Sequence, residues 1–305
     1  MSKVSIIIPV YNVATFLRKA LDSVIKQTLE DIEIICVDDC STDNSFEILQ
    51  EYAQKDSRVK IIKQEKNQGE VVAKYTAAQV AQSDYIGTLD PDDYYSTNFC
   101  EILYKQLSTN NADMACCNMQ HIKENGSLLK NKIIQIGKKH SCVSLNSSFI
   151  NSINPSTTNK IMKKDIYINA LNFTERDIWK DFYQYWRGYS KESYKICLIP
   201  EELYFYRKRK NSIIHTKINY QTKWNSLLKT IDLILNYLLK NNRYEIYKKA
   251  FWETAAVKIK KVQKGHFNYS RAISEIEEIA GKYNIPITDL QILNTNKLKI
   301  FLIGR

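Results

Sequence analysis

The chain has few glycines, and this scarcity argues against two large classes of nucleotide-binding protein. Its eight glycines are spaced too widely to form the G-x-G-x-x-G turn of dinucleotide-binding folds or the G-x-x-x-x-G-K loop of P-loop enzymes. Both motifs need glycine because backbone N–H groups must approach a phosphate closely. A dehydrogenase or a P-loop nucleotide hydrolase therefore lacks its main support.

Cysteine is used sparingly and without pattern. The seven cysteines are odd in number and include no C-x-x-C pair, which favours reduced thiols in a cytosolic protein over a disulfide framework or a zinc site. A strand-like segment starts directly after Lys3, so we expect no signal peptide ahead of the fold. These features predict a cytoplasmic protein.

The sequence also lacks long apolar runs and long linkers. Five prolines and eight glycines in 305 residues are too few for an extended low-complexity linker. The most apolar late segment, Leu227–Leu239, contains Lys229 and Asp232 and falls short of the roughly 20 residues that span a bilayer. We expect a protein that is soluble or peripheral to a membrane.

Charge is distributed unevenly along the chain, whose net charge is +11. Residues 1–105 contain 11 Lys and Arg against 17 Asp and Glu, whereas residues 106–305 contain 33 against 16. An acidic front and a basic remainder indicate two regions with different tasks.

Strand-like and helical segments alternate through the first hundred residues. Val4–Val10 is a continuous apolar run, typical of a buried parallel strand, and an amphipathic helical pattern follows it. The alternation predicts an α/β fold with a parallel, doubly wound sheet. The further predicted strands are Ile32–Val37, Val59–Ile62 and Tyr85–Leu89.

Carboxylates follow two of these strands directly. Asp38 and Asp39 end the second strand, and Asp90, Asp92 and Asp93 come after the fourth. In open α/β sheets, ligands bind at the carboxyl ends of the strands, and oxygen ligands beside a phosphate site suit Mg²⁺ or Mn²⁺. The alternative for the fourth strand is a solvated Asp-Pro turn.

Four motifs, in order and at matching spacing, resemble the signatures of family 2 glycosyltransferases, which have the GT-A fold. They are Val4–Asn12, Ile34–Ser45, Asn67–Gly69 with Lys74, and Asp84–Asp93. The resemblance covers about the first 100 residues. It implies a Rossmann-like domain that binds a nucleotide-diphosphate sugar, most simply a UDP-sugar.

The resemblance also implies a role for each matching residue. Pro9 and Tyr11 would line the base pocket, with the Tyr11 ring stacked on uracil, and Asp39 would accept a hydrogen bond from the base. Lys74 would lie near the diphosphate. The alternatives are a core aromatic for Tyr11, a helix cap for Asp39 and a solvated helix lysine for Lys74. Cys40 stands where the family has glycine.

Asp90 and Asp92 form the D-x-D motif of this resemblance. Asp90 would meet the sugar or ribose, and Asp92 would bind the metal, Mn²⁺ or Mg²⁺, which neutralises the diphosphate leaving group. His215 would complete the metal shell or contact the diphosphate. The alternative is an ordinary surface histidine.

The helical segment after Thr174 supplies the predicted catalytic base. Inverting transfer needs a carboxylate that takes the proton of the acceptor hydroxyl, and the family places an acidic pair at a helix start here. Asp181 fits the second acid, while Lys180 replaces the first. Glu175 and Asp177 remain alternatives, and each acid could instead only interact with the helix dipole.

The domain organisation follows from these assignments. We predict a catalytic GT-A domain over residues 1–216, with a nucleotide-binding half at 1–105 and an acceptor-binding half at 106–216. A helical C-terminal region would follow at 217–305. Residues 217–264 contain eleven Lys and Arg against three acids, which suits an anionic membrane surface or helices packed on the catalytic domain.

The predicted function is an inverting, metal-dependent glycosyltransferase, a hexosyltransferase that uses a nucleotide-sugar donor. By family analogy the acceptor is a glycan or lipid-linked glycan of a bacterial surface, such as lipooligosaccharide or capsule. The chain has no Q-x-x-R-W stretch, which favours addition of single sugars. The alternatives are a nucleotidyltransferase, which would need a glycine- and arginine-rich phosphate loop that Val10–Ala14 lacks, and a basic nucleic-acid-binding protein, which leaves the acidic strand ends unexplained. We expect no nucleic-acid partner.

Overall fold

The chain folds into two compact units, each built from three chain segments. Unit 1 comprises Met1–Ser144, Ser156–Asn172 and Tyr194–Ser212, and unit 2 comprises Leu145–Pro155, Phe173–Ser193 and Ile213–Arg305. The computed structural model describes residues 2–134, 139–153, 155–175, 177–191, 193–209, 219–263 and 269–294.

Unit 1 is organised around one mixed β-sheet. Its strands are β1 (Val4–Val10), β2 (Ile32–Asp38), β3 (Val59–Lys63), β4 (Tyr85–Thr88), β5 (Tyr94–Tyr95), β6 (Met114–Lys123), β7 (Leu128–Ile134), β8 (Ser141–Leu145), β9 (Lys160–Lys163) and β10 (Tyr194–Lys208). The order across the sheet is β3-β2-β1-β4-β9-β6-β10-β5, with β7 beside β6 and β8 beside β10.

The first four strands form the predicted parallel sheet. β1 pairs in parallel with both β2 and β4, and β2 pairs in parallel with β3. Every residue of β1 and β2 is buried, which explains why their sequences do not alternate. The second half differs from the prediction, because β9 runs antiparallel between β4 and β6.

Amphipathic helices pack on this sheet. In α1, Leu17, Leu21 and Val24 face the core and are fully buried, at the spacing of one helical face. The helices of unit 1 are α1 (Ala14–Ile25), α2 (Ser45–Lys55), α3 (Glu70–Val80), α4 (Phe99–Asn110) and α5 (Lys164–Leu171).

Unit 2 is helical and has an aromatic core. Trp186, Trp224, Trp252 and Phe251 are almost completely buried. None of the helices that the structure describes is long and apolar enough to cross a membrane. The helices are α6 (Lys180–Tyr189), α7 (Tyr220–Lys240), α8 (Tyr244–Gln263), α9 (Tyr269–Gly281) and α10 (Gln291–Asn294), with short 3-10 turns at Ile150–Ser152 and Ile287–Leu290.

The division into units differs from the predicted boundary between residues 216 and 217. Segments 145–155 and 173–193 belong to unit 2 with the C-terminal helices. The reason is packing, since the Trp186 ring on α6 lies 6.1 Å from the Tyr247 ring and 5.4 Å from the Phe251 ring on α8. The predicted acceptor half is therefore shared between the two units.

One cysteine pair corrects the expectation that all thiols are reduced. Cys142 and Cys197 form a disulfide. They lie on β8 and β10, which are neighbours in the sheet, so residues 55 positions apart in sequence meet across a strand pair. The other five cysteines are free, and Cys116 and Cys117 are buried.

Candidate active site

The carboxyl ends of β1, β2 and β4 meet at one edge of the unit 1 sheet. Val10 is paired with Asp38, and Ile7 with Thr88. Tyr11, Asp39 and Asp90 follow these ends directly, so the parallel register gathers them at the position where α/β sheets bind ligands.

Tyr11 lies in the turn after β1 and is 48% exposed, so it is not a core residue. The next residue holds the turn in place, because Asn12 Oδ1 accepts hydrogen bonds from the backbone N–H groups of Thr42 at 2.7 Å and Asp43 at 3.3 Å. An exposed aromatic ring fixed at the strand edge is a suitable surface for a planar base. Pro9, in contrast, is buried within β1 opposite Val37, where it packs in the sheet.

Asp39 is buried and binds the chain that leads into α3. Its Oδ1 accepts from the Gln68 N–H and its Oδ2 from the Gly69 N–H, both at 2.7 Å. Gly69 has a φ of +91° and directly precedes α3. Asp39 thus fixes the start of α3, a role similar to the helix cap that was the alternative for this residue. Each of its carboxylate oxygens keeps a further lone pair that can accept another hydrogen bond.

Lys74 is a buried lysine between two carboxylates. Its Nζ forms ion pairs with Glu70 and, at 3.4 Å, with Asp90 Oδ1. Burial alone would lower the pKa of Lys74, but the charges of Glu70 and Asp90 outweigh it and raise the pKa well above its usual value. Lys74 is therefore a permanent cation behind the carboxylates, not the solvated lysine of the alternative.

The carboxylate loop, Leu89–Asp93, is bound to β10 through Asp93. Asp93 accepts hydrogen bonds from the Tyr204 hydroxyl at 2.6 Å and from the Arg207 backbone N–H at 2.7 Å. Burial, followed by the charges of Asp92 and Asp90, raises the pKa of Asp93 well above its usual range. Asp93 thus serves as an internal anchor that leaves the other two carboxylates at the surface of the loop.

Asp90 and Asp92 are the accessible members of the loop, with side chains 30% and 17% exposed. Burial raises the pKa of Asp90 to about 7 against the opposing charge of Lys74. Burial also raises the pKa of Asp92, and Arg209 opposes it. Two partly desolvated carboxylates this close together favour a bound cation.

The donor set fits a metal that takes most of its ligands from elsewhere. Within the described parts of the chain, no group of three or more His, Cys, Asp or Glu side chains is arranged to hold a metal ion. Mg²⁺ and Mn²⁺ commonly bind one or two carboxylates together with water and phosphate oxygens, and Asp90 and Asp92 can supply that share. His215 lies outside the described residues.

The candidate bases lie in unit 2. Asp181 is exposed in the first turn of α6, as predicted. Asp177 has a left-handed φ of +57°, and Glu175 accepts a hydrogen bond from the Thr174 N–H. Trp186 is fully buried and belongs to the core of unit 2.

Three residues of the site escaped the sequence analysis, namely Tyr204, Arg207 and Arg209. Arg207 donates from Nε to the Asp92 backbone oxygen at 2.7 Å, and Arg209 forms an ion pair with the Asp92 carboxylate at 2.6 Å. The sequence feature that could have indicated these contacts is charge, because basic residues lie at the end of β10 and an acidic loop follows β4. Only the β6–β10 and β5–β10 pairings bring the two together.

Comparisons with known proteins bear on the family and the fold. A family model described as Glycosyl transferase family 2 matches residues 5–195. Glycosyltransferase GlyG of Streptococcus pneumoniae serotype 4 is 32% identical over 228 residues, which cover 71% of this chain and 74% of GlyG.

Two solved structures share the fold. S. aureus TarS 1–349, in complex with UDP-GlcNAc, has a TM-score of 0.63 at 19% identity and covers 92% of this chain and 91% of that one. Mannosyltransferase PcManGT from Pyrobaculum calidifontis, in complex with GDP-Man and Mn²⁺, has a TM-score of 0.54 at 15% identity, with coverage of 96% and 84%. These likenesses confirm the fold that the four motifs predicted.

Proposed function

The chain belongs to glycosyl transferase family 2, and we propose that it transfers a sugar from a UDP-sugar to a hydroxyl group of a glycan acceptor. Transfer would invert the anomeric carbon and use a divalent metal. The observation that carries the proposal is the sheet edge at which exposed Tyr11, buried Lys74 and the carboxylate loop lie together. TarS, which shares the fold and was solved with UDP-GlcNAc, supports a uridine nucleotide.

Donor binding would use the side chains at the ends of β1 and β2. The exposed Tyr11 ring would stack on the base. Asp39 would accept from the base N–H with a lone pair that its bonds to Gln68 and Gly69 leave available. Pro9 would shape this pocket from within β1.

The diphosphate would lie against the carboxylate loop. Asp92 and Asp90 would hold Mn²⁺ or Mg²⁺, and the Mn²⁺ in the PcManGT complex supports a divalent ion. When bound, such an ion stabilises the negative charge of the leaving diphosphate. Lys74 would fix Asp90 in position and reduce the charge repulsion within the loop.

The acceptor hydroxyl would lose its proton to Asp181. Asp181 lies exposed in the first turn of α6, and a carboxylate can take a proton as the acceptor oxygen attacks. We propose a surface glycan, free or lipid-linked, as the acceptor. The basic balance of residues 217–264 supports work at an anionic membrane surface.

The test is thermal unfolding with UDP, GDP, CDP or ADP, each with and without Mn²⁺. A ligand that binds only the native state raises the midpoint according to its concentration relative to Kd. We expect UDP to raise the midpoint more with Mn²⁺ than without, and the Mn²⁺-dependent part to be absent in Asp92→Asn. A shift with a different nucleotide would change the donor, and no shift with any nucleotide would contradict a donor site.

A further inference from the structure

Asp92, the proposed metal ligand, already has a cation beside it. Arg209 Nε lies 2.6 Å from Asp92 Oδ2, and the two side chains are only 26% and 17% exposed. Arg209 and Asp92 therefore form an ion pair between partly buried side chains. The guanidinium therefore balances the negative charge of the carboxylate.

The surroundings keep Arg209 at this position. Arg207, two residues earlier, donates from Nε to the Asp92 backbone oxygen and from Nη1 to the Glu124 backbone oxygen, both at 2.7 Å. The Phe16 ring on α1 lies 5.2 Å from the Arg207 guanidinium carbon and 5.5 Å from that of Arg209. The chain before Arg209 is thus anchored through Arg207 independently of the ion pair, and a change of partner by Arg209 leaves the Arg207 bonds in place.

The two arginines have different tasks. Arg207 binds backbone oxygens and fixes where Asp92 lies, so any cation at the carboxylate leaves its bonds intact. Arg209 forms its ion pair with the Asp92 carboxylate, which is the group proposed to bind the metal. Two cations cannot approach one carboxylate oxygen at close range without repelling each other.

We propose that Arg209 is a positioning residue that acts as the resident counter-cation of Asp92 and gives way when the metal binds. This inference rests on the proposed function, because it takes Asp92 as the metal ligand. The ion pair keeps the Asp92 carboxylate oriented in the free protein. It also weakens metal binding until a nucleoside diphosphate is present, since the diphosphate adds ligands for the metal and negative charge for the released guanidinium.

The test is Mn²⁺ binding to the nucleotide-free protein, measured by electron paramagnetic resonance of the free ion. Arg209→Gln should bind Mn²⁺ about fivefold more tightly than the parent, the scale of an ion pair worth about 1 kcal/mol. Arg209→Lys retains the charge and should stay close to the parent. Lys208→Gln is the matched control, because Lys208 is an exposed neighbour that contacts the Tyr206 ring, and it should leave the Mn²⁺ affinity unchanged.

Two further measurements separate this inference from the proposed function. Asp92→Asn should lose Mn²⁺ binding in the presence of UDP, which tests the metal ligand alone. If Asp92→Asn loses Mn²⁺ while Arg209→Gln binds it no more tightly than the parent, the counter-cation role is wrong and the metal site stands. If the parent binds no Mn²⁺ even with UDP, both are wrong. An equal increase in Mn²⁺ affinity in Arg209→Gln and Lys208→Gln would show that the effect comes from the loss of any nearby positive charge. That result would also overturn the inference.

Discussion

At the scale of single residues, the site shows how differently the same side chain can be used. Asp39 and Asp93 are buried and accept bonds from the protein, whereas Asp90 and Asp92 are partly exposed and face cationic groups. The structural carboxylates set the geometry of the turn and of the loop. The partly exposed pair is the one whose carboxylates a cation arriving from solvent can reach.

Asp181→Asn tests the base. The amide keeps the size and polarity of the side chain but cannot accept the proton, so transfer should fall by about 10²-fold or more while UDP binding persists. The rate of UDP release measures transfer, and the thermal shift with UDP measures donor binding. Asp177→Asn and Glu175→Gln are the matched controls. If one of them loses transfer and Asp181→Asn does not, the role belongs to that residue.

Glu33 gives a prediction about acid stability. Its buried carboxylate accepts hydrogen bonds from the Ser5 hydroxyl at 2.6 Å and the Gln82 N–H at 2.6 Å, and it forms an ion pair with Lys60. Burial by itself would raise the pKa of Glu33, but these partners outweigh it and lower the pKa.

Because the folded state favours the ionised form, the unfolded state takes up more protons as the pH falls below about 4.3, the ordinary pKa of Glu. The free energy of unfolding should therefore decrease with falling pH in the parent, and less steeply in Glu33→Gln. Urea unfolding at a series of pH values measures both slopes. Glu30→Gln changes an exposed glutamate and should retain the parental slope. A parental slope in Glu33→Gln would contradict the assignment.

At the scale of elements, β10 is the part of the chain that completes the site. It pairs with β6 on one side and with β5 on the other, and its end supplies Tyr204 and Arg207 to the carboxylate loop. The two-residue strand β5 is held in the sheet by its pairing with β10. The loop after β4 is therefore only as rigid as its connection to β10.

Tyr204→Phe tests that connection. Removing the hydroxyl leaves Oδ2 of the buried Asp93 carboxyl without its donor, at a cost of about 1–3 kcal/mol, and should weaken UDP binding in the presence of Mn²⁺. Tyr95→Phe is the matched control, because the Tyr95 hydroxyl is buried and has no hydrogen-bond partner among the described residues. It should be neutral or slightly stabilising. Equal losses in the two variants, measured by urea unfolding, would show that ring packing and not the Asp93 bond matters.

The sequence predicted the elements whose pattern is local. β1 has the predicted bounds, and β2, β3 and β4 differ from them by one residue, because long apolar runs between turn residues identify a buried strand. β5 and β9 were missed. They are two and four residues long and form through pairing with distant strands, so neither carries a pattern of its own.

The site was likewise predictable only where a local sequence pattern carries it. Motifs placed Tyr11, Asp39 and the carboxylate loop at one edge because parallel strands end together. The bonds from Asp39 to the α3 start were not visible, since they join residues 29 and 30 positions apart. Cys40 is a further case, because it adopts a left-handed φ of +63°, which explains why a glycine would fit that position.

At the scale of the whole molecule, the chain alternates between its two units. It enters unit 2 at Leu145, returns at Ser156, leaves again at Phe173 and returns at Tyr194. Each excursion is short, and the residues of unit 2 that it supplies pack on helices encoded after residue 213. Unit 2 is therefore built from three separate stretches of the sequence.

A chain ending at residue 216 should accordingly fail to fold normally. It would retain α6 but lose α7 and α8, exposing Trp186 and Phe182, whose rings otherwise contact Phe251. We expect aggregation, or binding of a hydrophobic dye without cooperative unfolding. Co-expression of residues 217–305 is the control and should restore solubility, because the contacts are not covalent. A soluble, cooperatively unfolding 1–216 chain would instead support the boundary predicted from the sequence.

The contact between β10 and the carboxylate loop can form only after β10 has been synthesised, well after the loop. Tyr204 and Asp93 are 111 positions apart, so at about 5–20 residues per second the ribosome needs roughly 5–20 s to deliver the partner of Asp93. During that interval the nascent chain carries its acidic loop without the tyrosine and arginines that orient it. The site is thus assembled late in translation, and a chain released early would contain every motif of the donor half without a finished place to bind a donor.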